Sequence, residues 1–183
     1  RYHYKIQCQR AYNLSKTLTY SINRLIKRDM QVDENHRLSG CNWSPSRHFD
    51  DRPFRQDIEL IVLHCISLPE GKFGHGYPEQ LFLGTLKTED DPSFSDLEGL
   101  RVAPHLYIDR KGKATQFVSF DKRAWHAGVS SWRGRSNCND FSIGIELEGC
   151  VDAIFEEAQY RRLRNLLSAL FLRYDRLSLE AVV

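Results

Sequence analysis

Long hydrophobic runs are missing from this 183-residue chain. No apolar stretch approaches the 18 or more residues of a membrane-spanning helix; the longest are of the kind found at 60–63 and 169–172. No CxxC pair occurs. The cysteines, Cys8, Cys41, Cys65, Cys138 and Cys150, are odd in number and widely spaced, which excludes a zinc ribbon and argues against a disulfide scaffold. A reducing compartment is the expectation. The GxSxG elbow, the phosphate-binding GxxxxGK[ST], GxGxxG and HExxH are also absent, so neither a serine hydrolase of the elbow type nor a nucleotide-loop enzyme is indicated. Charge of one sign is scarce overall, the net value being +2. Residues 1–29 hold seven basic groups and one acid, so that segment is +6 and residues 30–183 are −4. The pI near 8.3 therefore comes from the first segment. The body carries no bulk basic charge for a nucleic-acid partner. What remains is ordinary: 41% apolar and 27% charged residues, enough for one globular domain with a sizeable core and short for two.

The first 39 residues contain neither glycine nor proline. Leu14, Leu18, Ile22, Leu25 and Ile26 fall on one helical stripe, with most basic residues elsewhere. Three readings fit: a basic amphipathic helix for a membrane surface or anionic partner, a transit peptide, or translated sequence upstream of a start at Met30, the chain's single methionine. The composition changes at Met30. The expectation is therefore a basic extension over 1–29 and a domain over 30–183. No continuous apolar h-region supports a secretory signal.

From residue 58 the pattern is α/β. Ile58–His64 (IELIVLH) reads as a buried strand ending in a histidine, and 141–147 (FSIGIEL) as another. Residues 102–108 and 114–120 flank a polar turn with Gly112 and predict a hairpin. Residues 65–99, rich in glycine and proline, predict a long loop with about one helical turn near 78–83, and 121–141 a second loop. Apolar spacing predicts a helix over 155–174, and alternation at 177, 179, 181 and 183 a half-buried strand. The expected fold class is a single α/β domain with a central mixed β-sheet flanked by helices. Its core would include Ile61, Leu63, Ile108, Phe117, Ile143, Ile145, Leu163, Leu166 and Leu170.

Several residues in this pattern can carry chemistry. His64 ends a central strand, and ligands of open α/β sheets bind beyond strand carboxyl ends. A neutral imidazole there suits a metal, or a hydrogen bond closing the strand. Glu146 and Glu148 share one face of an apolar strand by period-2 alternation. A desolvated Glu146 suits a general base, and the bland alternative is two solvated carboxylates on an edge strand. Gly144 beside them suggests close approach by another group. His105, after Pro104, reads as structural. Trp125, His126 and Trp132 put aromatics in a loop, either over a cleft or as a packing plug. Arg101 is a candidate cation for a substrate carboxylate, or an ordinary surface arginine.

Taken together, 60–74 (LIVLHCISLPEGKFG), 81–86 (LFLGTL), 100–112 (LRVAPHLYIDRKG), 120–130 (FDKRAWHAGVS) and 138–149 (CNDFSIGIELEG) resemble the AmpD-type 1,6-anhydro-N-acetylmuramoyl-L-alanine amidases. These belong to the wider fold family of phage T7-type lysozyme amidases and peptidoglycan recognition proteins. The likeness spans about residues 40–183. It implies a bacterial, cytoplasmic, monomeric zinc hydrolase that cleaves the muramoyl–L-alanine amide of muropeptides in cell-wall recycling, with no membrane or nucleic-acid partner. His64 would be the first zinc ligand, Glu146 the catalytic carboxylate, Arg101 a holder of peptide carboxylates, and Trp125 a wall of the substrate groove. The resemblance also implies a second histidine and an aspartate as ligands, with a lysine beside them, in a block beginning just after Val183. On that reading the chain is incomplete and inactive as given, since catalytic zinc keeps three protein ligands. Three positions depart from the family: Cys65 stands where asparagine is common, Pro104 where a small residue is, and 133–139 lacks a basic residue near 137. A zinc-free muropeptide-binding module on the same fold is the alternative.

Overall fold

The computed structural model describes residues 30–54, 58–150 and 152–183. The apolar stripe at 14–26 and the reading of 1–29 as an extension lie outside the described residues. Two seven-residue strands form the centre: β3 (Leu60–Ile66) and β9 (Ser142–Glu148) pair in parallel. Their continuous Leu, Ile and Val content suits strands covered on both faces. With β1 (Asn42–Trp43), β4 (Leu106–Ile108) and β5 (Ala114–Gln116) they make a five-stranded mixed sheet in the order β1-β5-β4-β9-β3. The β4–β5 pair is antiparallel; β1–β5 and β4–β9 are parallel. Two small antiparallel ribbons stand outside this sheet: β2 (Phe49–Asp51) with β6 (Lys122–Ala124), and β7 (Ser131–Trp132) with β8 (Arg135–Ser136).

The β4–β5 turn is built by Asp109, whose Oδ1 accepts from the N–H groups of Lys111 (2.9 Å) and Lys113 (2.8 Å). Gly112 is required there. Its φ is +76°, and a Cβ would stand 2.6 Å from the Ala158 carbonyl oxygen. Among the described residues two helices flank the sheet. The shorter, α1 (Tyr77–Leu83), starts with Pro78 in its first turn. The longer, α2 (Glu157–Arg173), buries Leu163, Leu166, Leu167 and Leu170 against Ile61, Leu106, Ile108, Ile143 and Ile145. Gln159 on α2 is fully buried, and its Nε2 donates to the carbonyls of Ile108 (3.2 Å) and Glu148 (2.9 Å), tying α2 to the ends of β4 and β9. The opposite face packs Phe82, Phe94, Tyr107 and Phe117. All nine expected core residues are buried.

Some expected elements differ. The strand placed at 58–64 runs two residues later, so His64 lies within it rather than at its end. The hairpin arms are shorter than 102–108 and 114–120. Pro104 has no N–H to extend the ladder, and beyond β5 the chain turns away, Phe120 donating to the carbonyl of His36 (3.1 Å). The expected strand at 177–183 is mostly a short 3₁₀ turn, Leu179–Ala181. Leu177 and Ala181 turn inward, as the alternation places them, but the backbone between them closes into a turn, Ala181 N–H donating to Ser178 O (3.0 Å) and Val182 N–H to Leu179 O (3.2 Å). Only the end adds to the sheet: Val182 bridges Ile61 in parallel, with Leu63 N–H donating to Val183 O (2.7 Å).

Candidate active site

Alternation on β9 sends Ile143, Ile145 and Leu147 towards α2, which leaves Ser142, Gly144, Glu146 and Glu148 on the opposite face. The parallel register places His64 of β3 directly beside Glu146, and Tyr107 of β4 beside Glu146 on its other flank. An imidazole, a carboxylate and a phenol thus lie in one row across three strands.

The two glutamates of β9 do different things. Glu148 is 2% exposed and satisfied: it accepts from the backbone N–H of Gly74 (2.6 Å) and of Arg110 (3.1 Å), fixing the 71–76 loop and the start of the hairpin turn. Glu146 is 5% exposed, and its Oε2 has no hydrogen-bond partner. Burial pushes its carboxyl up to about 8. Neither glutamate is a solvated edge residue, and only Glu146 is left uncommitted. His64 is half-buried; loss of hydration pushes its imidazole down to about 4, so it is neutral at neutral pH. Its Nε2 lies 2.9 Å from His126 Nδ1.

His126 is no loop-surface residue. It is 5% exposed and lies flat over Gly144, where a Cβ would stand 2.3 Å from its Cγ. The close approach expected at Gly144 is therefore that of this ring. His126 Nε2 meets Ser142 Oγ at 3.1 Å. Its backbone N–H, like that of Ala127, donates to Asn139 Oδ1. His105 is structural, as expected: fully buried, its Nδ1 accepts from Gly144 N–H (3.1 Å).

Trp125, just after β6, is held as a wall. Its Nε1 donates to Asp50 Oδ1 (3.1 Å), and its ring stacks on His48 (centroids 6.3 Å, planes 12° apart). Arg123 grips the same Asp50 with two nitrogens and Asp140 with a third, which holds the Asp50 carboxyl below the usual carboxylate range. Behind this lies Arg52, 5% exposed, donating to the carbonyls of Phe120, Asn139, Asp140 and Ser142. Arg101 is exposed and lines a neighbouring cavity of about 400 Å³ with His48, Leu86 and Leu97. His48 is the link between Arg101's cavity and Trp125; His64 and Glu146 do not line that cavity.

Among the described residues no three His, Cys, Asp or Glu side chains converge to hold a metal ion. His64 suits one ligand position: its ring is neutral and its Nδ1 has no hydrogen-bond partner among the described residues. Glu146 Oε2 is an orphaned acceptor beside it. The described residues thus fit part of a catalytic zinc site, one ligand and one base, not a full ligand set.

Sequence reasoning selected His64, Glu146, Trp125 and Arg101. It missed His126 as a buried partner of His64, Tyr107 as the far flank of Glu146, and Asp50 and Arg52 as supports. The glycine at 144 was the available signal for His126.

The arrangement defines a mixed α/β domain with an uncommitted buried carboxylate beside a neutral imidazole at the sheet's centre. A profile of the family described as N-acetylmuramoyl-L-alanine amidase matches residues 54–183. The 1,6-anhydro-N-acetylmuramyl-L-alanine amidase AmpD of Haemophilus influenzae is 45% identical over 146 residues, 80% of this chain and 79% of that protein. AmpD of Escherichia coli K12 is 48% identical over 133 residues, 73% of each. The crystal structure of a selenomethionine AmpD derivative superposes with a TM-score of 0.78 at 44% identity, covering 81% of this chain and 83% of that one. This chain belongs to the N-acetylmuramoyl-L-alanine amidase family.

Proposed function

We propose that the chain hydrolyses the amide between the muramoyl lactyl group and L-alanine in 1,6-anhydro-muropeptides, as a cytoplasmic, monomeric, zinc-dependent enzyme of cell-wall recycling. The observation that carries the chemistry is Glu146: buried, with one oxygen unpartnered and its carboxyl pushed to about 8, beside neutral His64. Such a carboxyl exchanges a proton near neutral pH. Glu146 takes a proton from the attacking water as its oxygen bonds to the amide carbon. The same carboxyl returns that proton to the departing L-alanine nitrogen as the C–N bond breaks. His64 would hold zinc through a ring nitrogen. The chemistry a bound zinc ion supplies is polarisation of the carbonyl and acidification of water. Trp125, locked by Asp50 and His48, offers an apolar wall to the substrate, and exposed Arg101 a cation for a peptide carboxylate. Names of the relatives above support the substrate class.

The donor count favours a second reading, a muropeptide-binding module without zinc, because the described residues supply one ligand. On that count, the described residues by themselves would hold zinc weakly. The test is incubation of the chain, with and without added zinc, with anhydro-N-acetylmuramoyl-tripeptide, followed by mass spectrometry and calorimetry. Zinc-dependent release of free tripeptide supports the amidase. Tight binding with no release under either condition supports the binding module.

A further inference from the structure

We infer that Arg52 and Asn139 are a pair of positioning residues that set where the Trp125 wall stands relative to Glu146, so that substrate binding, and not proton transfer, depends on them. The inference rests on the amidase reading only for what the wall touches. The wall needs such a device because its ribbon, β2 with β6, lies outside the five-stranded sheet, whereas Glu146 is on β9 within it. Backbone hydrogen bonds anchor Trp125 to the segment before β4 and to the approach to β2: Ala103 N–H donates to Trp125 O (3.0 Å), and Trp125 N–H to His48 O (3.3 Å). Neither bond reaches β9 directly.

Arg52 does reach it. The residue stands just past β2 and is 5% exposed. Its Nε donates to Phe120 O (3.0 Å), and its Nη1 to Asn139 O (3.2 Å) and Asp140 O (3.0 Å). Its Nη2 donates to the carbonyl of Ser142 (2.7 Å), the first residue of β9, and also lies 3.0 Å from His105 Nε2. A rigid planar fork of five N–H groups can serve three chain segments at once, which a single ammonium cannot. Asn139 passes the constraint on. Arg52 holds its backbone oxygen, while its Oδ1 accepts from the N–H groups of His126 (3.1 Å) and Ala127 (2.9 Å), the two residues after Trp125. The indole tip is fixed separately, by Asp50 two residues before Arg52. Trp125 is therefore held at its tip from β2 and along its backbone from the start of β9. Neither Arg52 nor Asn139 lines the Arg101 cavity or pairs with Glu146 across the sheet, so both act through the wall.

The test uses the chain labelled with fluorotryptophan, whose ¹⁹F signals come from Trp43, Trp125 and Trp132. The signal lost in Trp125→Phe is that of Trp125. In Asn139→Ala the N–H groups of His126 and Ala127 lose their acceptor, and the Trp125 signal is expected to shift and broaden while that of Trp43 holds. Asn139→Asp keeps an oxygen at the same place, accepts the same two hydrogens and keeps the signal of unaltered protein. Arg52→Lys keeps the charge but not the fork, and moves the signal as Asn139→Ala does. With zinc present, KM for anhydro-N-acetylmuramoyl-tripeptide is expected to rise about 5–20-fold in Asn139→Ala, with kcat within about threefold, and to stay unchanged in Asn139→Asp. Melting curves confirm that each variant is folded, and Asn139→Ala keeps the test decisive if Arg52→Lys does not fold. Three results overturn the inference: an unmoved Trp125 signal in Asn139→Ala, equal effects of the Ala and Asp variants, or a fall in kcat at unchanged KM, which would tie the pair to the chemistry instead. If unaltered protein neither binds nor cleaves the muropeptide, yet the Trp125 signal moves in Asn139→Ala and is kept in Asn139→Asp, the amidase reading fails while the positioning role stands.

Discussion

Gly144→Ala is the sharpest test of how the site is packed. A Cβ at this position would stand 2.3 Å from His126 Cγ, 2.5 Å from Nδ1 and 2.6 Å from Cδ2. Ordinary carbon–carbon contact begins near about 3.5 Å, so the ring must retreat by about 1 Å. It has nowhere to go without breaking contacts, because its Nδ1 meets His64, its Nε2 meets Ser142 and its backbone N–H is held by Asn139. Overpacking of this kind costs about 1–3 kcal/mol, and each lost buried hydrogen bond about 0.5–1.5 kcal/mol. With two such bonds lost the sum is about 2–6 kcal/mol, or a fall in melting temperature of about 4–24 °C for a chain of this size. Circular dichroism melting measures it. A double-mutant cycle sharpens it: in a His126→Ala background the obstructing ring is gone, and Gly144→Ala should then cost less than about 1 kcal/mol. An equal cost in both backgrounds refutes the steric reasoning.

Other outcomes follow from the same geometry. Glu146→Gln should lower turnover by at least about 100-fold, as expected for loss of a proton-transfer group, while zinc content stays unchanged; His64→Ala should lose both, which metal analysis and a turnover assay distinguish. In metal-free protein the native state keeps His64, His105 and His126 neutral below their ordinary 6.5 and keeps Glu146 protonated up to about 8 rather than 4.5. Between 6.5 and 8 the native state therefore binds one more proton than the unfolded, so stability falls with rising pH, by up to about 1.4 kcal/mol per unit. Between 4.5 and 6.5 the unfolded state binds more protons through the histidines than it gives up at Glu146, so stability falls with acid. Urea unfolding across pH should peak near 6.5, and Glu146→Gln should remove the alkaline limb; a stability flat from 5 to 8 contradicts this. Gln159→Ala should destabilise by about 2–4 kcal/mol, since it opens a cavity and strips two buried carbonyls of their donor. Asp50→Ala frees the Trp125 indole and should raise KM more than it lowers kcat; the reverse split would place Trp125 outside the substrate wall.

The parts legible in the sequence were those encoded by period and composition. The apolar runs of β3 and β9, the 3.6-residue spacing of α2 and the polar turn with Gly112 act over a few neighbouring residues, so a local pattern is enough to read them. The motif blocks pointed to the family, and within them to His64 and Glu146, since alternation alone puts Glu146 on the face away from Ile145. Tertiary structure decided the rest. Glu146 and Glu148 are two residues apart on one face, yet Glu148 is bound by the backbone of Gly74 and Arg110 while Glu146 is left unpartnered. No local pattern carries that difference, because the partners come from loops 38 and 74 residues distant. His126 looked like a loop residue because loop composition says nothing of where a ring lands; it is buried because Gly144, on another element, leaves room for it. The segment 177–183 alternated like a strand, and Leu177 and Ala181 do turn inward, but nothing in the alternation recorded that the backbone closes into a turn at Leu179–Ala181. Parallel pairing then set His64 beside Glu146 across 82 positions of sequence, a juxtaposition fixed by sheet register and the packing of α2 beneath it.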